Sequence, residues 1–88
     1  MKIEKYLLEK GFKANLKGFD YLVTAIKLCQ KDKSLLRAVT TRLYPTIAEI
    51  HNDTTSKAER AMRHALIKAK IIETCSQFIA KAVIELEN

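Results

Sequence analysis

Short polar breaks divide this chain into runs in which apolar residues return every three or four positions. That period turns one face of a helix toward a core. Ile3, Tyr6, Leu7 and Leu8 mark a first helix over about Ile3 to Lys10, and Gly11 stands where a left-handed terminating residue belongs. Phe12 to Lys17 reads as a loop that lays Phe12 and Leu16 on the core. A second helix, about Gly18 to Lys31, carries Phe19, Leu22, Val23, Ile26 and Cys29 in step. Asp32 to Ser34 is a polar break suited to capping the next helix. The third helix is expected to reach about Leu43, with Leu35, Leu36, Val39 and Leu43 inward.

Tyr44-Pro45 is expected to end that helix, because the residue before a proline is pushed away from helical geometry. Pro45 suits the first turn of a short fourth helix, about Pro45 to His51, where its missing N–H would be unpaired anyway. Asn52-Asp53-Thr54 is a tight polar turn, and Asn tolerates the left-handed backbone that such a turn needs. A fifth helix is expected from near Thr54–Ser56 to Ile71 or Ile72. A last one, about Ser76 to Leu86, carries Phe78, Ile79, Ala82, Val83 and Leu86. Residues 73–75 either break the chain or bend it. The expected fold is all-α: a single six-helix domain over residues 1–88.

Within it, residues 43–71 read as a helix-turn-helix. Ala48 is small where a second helix must cross, Asn52 follows at the turn, and Ala58, Ala61 and Met62 give the second helix an inward face. Asp53 departs from the pattern, since that turn position is often apolar. At 100° per residue, Ala58, Ala61, Met62, Ala65, Leu66 and Ala69 fall in one arc, and Arg60 stands nearly opposite its centre. Ser56, Lys57, Arg63 and His64 surround Arg60, with Glu59 at the edge of the apolar arc.

Charge sharpens this picture. The net formal charge is +6. Between Lys57 and Lys70 the cations Lys57, Arg60, Arg63, Lys68 and Lys70 face Glu59 alone, and the segments on either side are acidic. Such a stripe suits a polyanion. Arg and Lys donate to guanine O6 and N7, and Glu accepts from cytosine N4. For Glu59 two readings stand side by side. It can read a base, or it can serve its own helix, through capping-box spacing with Ser56 and i,i+4 spacing with Arg63. Tyr44 either reaches a phosphate or packs beside Pro45, and His51 is expected to pack at the end of its helix.

Other classes lose ground. No apolar stretch has the length of a membrane span, and the charged, amphipathic start is not a secretory signal. Cys29 and Cys75 are expected to be buried thiols in a reducing cytoplasm. Their spacing with His51 and His64 fits no metal-ligand pattern, so neither a metal nor another cofactor is expected. Paired carboxylates, a Gly-rich phosphate loop and a nucleophile–base arrangement are all missing, so the chain does not read as an enzyme.

The run Leu43-Tyr44-Pro45-x-Ile47-Ala48-x-x-x-Asn52, followed by Thr54-x-Ser56-Lys57-x-Glu59-Arg60-Ala61-x-Arg63-His64-Ala65, resembles the C-terminal effector domain of the stage zero sporulation protein A family. Gly11, Lys17-Gly18-Phe19-x-Tyr21-Leu22, Ala25-Ile26 and the late Phe78-Ile79-Ala80 carry the same resemblance. It implies a bacterial transcription regulator that binds a short box in double-stranded promoter DNA, with homodimers on tandem boxes. It also implies that Lys57, Glu59 and Arg60 face base edges, while Thr54, Ser56, Arg63 and His64 anchor phosphates. Three departures bear on function. The 88 residues include no phosphoacceptor receiver domain, Lys57 stands where the family usually has Arg, and the connector to the last helix is shorter. That connector helps contact RNA polymerase in the family, so the departures leave a helical adaptor or decoy acting on a sporulation regulator as the rival reading.

Overall fold

In the computed structural model, which describes residues 2–87, the chain is all-α. Five α-helices, α1 (Lys2–Glu9), α2 (Lys17–Lys31), α3 (Tyr44–Ile50), α4 (Thr55–Lys68) and α5 (Cys75–Glu87), surround one core, with a 3-10 turn (Lys33–Arg37) and a π-helical turn (Val39–Leu43) between α2 and α3. The core holds Leu7, Leu22, Ile26, Leu43, Ile47, Met62, Phe78, Ile79 and Val83, and every fully buried side chain among the described residues is apolar. The expected stripes of α1, α2 and α5 face this centre, with Tyr6 and Leu86 only partly buried, but Leu8 points to solvent. α2 is the hub, since α1, α3, α4, α5 and the 3-10 turn all pack against it.

Three helices end in the same way. After α1, Gly11 takes φ 96° and donates to the Leu8 carbonyl, while the Phe12 N–H reaches back to Leu7. This is a Schellman closure, and it buries Phe12. After α3, Asn52 (φ 54°) and Asp53 repeat it on Glu49 and Ala48. After α4, Lys70 (φ 62°) and Ile71 repeat it on Ile67 and Leu66. The last closure corrects the expected end of the fifth helix near Ile71 or Ile72. α4 stops at Lys68 because the left-handed Lys70 lets Ile71 fold back onto the core.

The third expected helix is also corrected. Asp32 caps it as expected, accepting from the Ser34 N–H at 3.1 Å, but the segment breaks at Ala38 (φ −138°, ψ 47°). The break divides it into the 3-10 turn that buries Leu35 and the π turn that buries Leu43. Leu36 and Val39 are only partly buried. Nor does Tyr44 end a helix. It has α geometry (φ −61°, ψ −43°) and the chain winds straight from the π turn into α3, with Pro45 in the first turn. The wider π turn and the helix start leave the ring of Pro45 without the clash that a proline meets in a continuous α-helix.

Residues 71–74 break the chain between α4 and α5. A reciprocal capping box starts α5: the Gln77 N–H donates to Thr74 Oγ1 (3.2 Å), and the Thr74 N–H donates to Gln77 Oε1 (3.1 Å).

Candidate nucleic-acid interface

α3, the turn 51–54 and α4 form a helix-turn-helix, and the geometry of α4 follows from small side chains on its back. Ala58, Met62, Ala65 and Leu66 are buried, while Ala61 and Ala69 pack at the margin. The expected seat of this back was α3. The structure gives the larger share to α2, with Ala48 of α3 buried alongside. The closest approach is at Gly18. A Cβ there would sit far inside van der Waals contact of the Ala61 carbonyl oxygen and 2.7 Å from Ala65 Cβ. The Gly18–Ala61–Ala65 seam is a site that periodicity did not reveal, because glycine carries no hydropathy signal.

The start of α4 is fixed by hydrogen bonds. Thr54 is the N-cap, with extended backbone, and its Oγ1 accepts from the Lys57 N–H at 3.2 Å. The Ser56–Glu59 capping box is therefore not formed. Asp53 accounts for its own departure from the usual apolar turn residue. Its Oδ2 accepts from the Tyr21 hydroxyl at 2.6 Å and its Oδ1 from the Thr54 N–H at 2.8 Å. One carboxylate thus ties α2 to the cap of α4. Beside it, His51 Nε2 lies 2.7 Å from Thr24 Oγ1, and its ring packs against Tyr21 with centroids 4.5 Å apart.

These bonds leave a titration signature. The hydrogen bond to Asp53, with burial, pushes Tyr21 up to about 12. The Tyr21 and Thr54 donors hold the Asp53 carboxyl below its usual value, helped by Lys17 and Lys57. A group with a depressed folded pKa stabilises the fold above its unfolded pKa, about 3.9 for Asp, and that stability is lost as pH falls through the folded value. Thermal denaturation of the parent should therefore show a decline below about pH 4. Asp53→Asn should be less stable at neutral pH and show a shallower decline, and parallel curves for the two proteins would count against the tie.

All seven residues singled out in the sequence lie on α4 or its cap, and all except Glu59 are exposed. They divide into two rows. Lys57, Arg60, Ala61 and His64 line a shallow groove of about 370 Å³ shared with Lys17 and Gly18 of α2. Ser56, Glu59 and Arg63 face a larger cleft of about 770 Å³ toward Tyr44 and the start of α5. Glu59 is partly buried and pairs with Arg63 at 3.2 Å, as i,i+4 spacing allows. Thr54 stands at the head of the helix with its hydroxyl oxygen already accepting from Lys57. Lys57 and Arg60 form no ion pair among the described residues.

Tyr44 is buried beside Cys75, so it packs and does not reach out. Burial pushes the Cys75 thiol up to about 11 and the Cys29 thiol likewise. Both are free and buried, as expected. Among the described residues no helix is long and apolar enough to cross a membrane.

Chemically, the exposed face of α4 is a row of N–H donors with one carboxylate held at its edge. A family model described as sporulation initiation factor Spo0A C terminal matches residues 3–86 of the chain.

Proposed function

Because the chain belongs to the Spo0A C-terminal domain family, a family of DNA-binding, non-enzymatic effector domains of a sporulation response regulator, we propose that it binds a specific double-stranded promoter box with α4 in the major groove. The observation that carries this reading is the exposed Lys57–Arg60 row, without an ion pair among the described residues, on a helix whose alanine back is buried. In the proposed complex Lys57, Glu59 and Arg60 read base edges, with Arg60 at the centre. Thr54, Ser56, Arg63 and His64 hold phosphates and set the register. The Glu59–Arg63 pair lets Arg63 orient the Glu59 carboxylate while its remaining N–H groups meet the backbone.

Tandem boxes would recruit homodimers, and the compartment is the bacterial cytoplasm, which two free thiols suit. Contact with RNA polymerase is the weaker part of the family pattern here, since only residues 69–74 separate α4 from α5. One observation favours the rival reading as an adaptor: Ile72 and Ile67 are 98% and 65% exposed beside the cleft.

Selection of bound duplexes from a random pool tests the proposal. Recovery of a defined box, bound more tightly than its scrambled version, is the expected result, and recovery of no motif favours the adaptor. With the box in hand, Arg63→Ala should weaken binding to box and scrambled duplex alike and lower the salt dependence by about one counterion. A loss confined to the box would reassign Arg63 to base reading.

A further inference from the structure

The two flanks of α4 are chemically unlike. On the α5 side the cleft carries the carboxylates of Glu59 and Glu73, Arg63 paired with Glu59, and the Thr55, Ser56 and Thr74 hydroxyls. On the α2 side the groove has a floor of Leu16, Gly18 and Ala61 and a rim of Lys17, Lys57, Arg60 and His64. No carboxylate among the described residues lines it. Lys17 is exposed and makes no ion pair among the described residues, whereas Lys10, Lys33, Arg42 and Lys81 are all paired elsewhere.

The geometry points to Lys17 as a phosphate anchor contributed by α2, closing the second wall of a groove that holds one sugar-phosphate strand of the duplex beside α4. This rests on the reading of α4 as the groove-inserted helix. A helix in the major groove has a strand along each flank, and each strand presents a negative charge about every 3.4 Å along the axis. Ser56 and Arg63 would meet the strand on the α5 flank, and the carboxylate-free cationic rim suits the strand on the other. Lys17 is also well placed to keep its position. Its neighbour Gly18 is pressed against the Ala61 carbonyl, so the stem of Lys17 starts at a fixed separation from α4. Asp53 is the nearby acid, and both Lys17 and Lys57 act on it. Asp53 is held by Tyr21 and Thr54 and forms no ion pair with Lys17 among the described residues, so the Lys17 ammonium is available to a phosphate.

The test is a salt titration of binding to the selected box and to its scrambled version. It compares the parent, Lys17→Ala, Lys17→Arg and, as a control of equal charge elsewhere on α2, Lys27→Ala. Lys17→Ala should bind both duplexes roughly tenfold more weakly near 0.1 M salt, with the log–log slope lower by about 0.9. Lys17→Arg should keep the parent's slope, and Lys27→Ala should change it little. An unchanged slope for Lys17→Ala overturns the proposal, and so does an equal loss in Lys27→Ala, which would mean a general field. A lowered Tm with unchanged binding also overturns it, because Lys17 would then only balance Asp53. If the parent itself shows no salt-dependent duplex binding, the DNA-binding reading is what fails.

Discussion

Gly18→Ala should destabilise the domain by about 3 kcal/mol, lowering Tm by roughly 15 °C for a chain of this length. The direction is informative, because helix propensity alone argues the opposite. Gly18 lies in α2 with an ordinary helical φ, where alanine is normally better by about 1 kcal/mol. The added methyl would meet the Ala61 carbonyl oxygen and Ala65 Cβ. A backbone carbonyl inside a helix cannot rotate away, so either α4 shifts as a body or its hydrogen bonds distort. Removing the Ala65 methyl as well should restore little, since the clash with Ala61 remains. Urea and thermal denaturation of the single and double variants check both statements. A gain in stability for Gly18→Ala would mean that α4 is not seated this closely on α2.

Arg60→Ala should lose about ten- to a hundredfold in preference for the selected box over a scrambled one, the value of one good base contact of 1–3 kcal/mol. Stability should stay within about 0.5 kcal/mol of the parent, because Arg60 is exposed and forms no ion pair among the described residues. Paired measurements of Tm and of binding to both duplexes separate the two effects. Binding of the box at the parent's affinity would remove Arg60 from the reading face. Together the two variants draw the contrast that a helix-turn-helix predicts. Gly18 sets how closely α4 sits on α2, and Arg60 would touch DNA without shaping the fold.

Much of this architecture is legible in the sequence, and the parts that are not share physical reasons. Periodicity marks α1, α2, α4 and α5 because each buries a stripe along its length. It fails between Leu35 and Leu43, since apolar spacings of three and four also fit a 3-10 turn followed by a π turn. The end of α4 is hidden because Lys70 takes a left-handed φ with no glycine or asparagine to announce it. By contrast, Thr74-x-x-Gln77 is a visible capping box, and its spacing alone would have placed the start of α5. On the candidate interface the exposed residues follow from a helical wheel. What a wheel cannot show is which neighbour each flank faces. The division into a carboxylate-bearing cleft and a cationic groove depends on which helices pack beside α4, and the Asp53–Tyr21 tie and the part played by Gly18 depend on contacts 32 to 47 residues apart in the chain.

The glycine–alanine seam fixes how the domain can meet a partner. Long side chains between two helices can change rotamer and let one helix yield under load, but a backbone pressed on a carbonyl and a methyl has no such compliance. The seam thus resists sliding of α4 over α2. Adaptation at a docked duplex then falls to the nucleic acid, whose local stiffness and groove width vary with sequence. Base pairs that no side chain touches would be selected for how readily they bend, and the recovered box should be longer than the footprint of Lys57, Glu59 and Arg60.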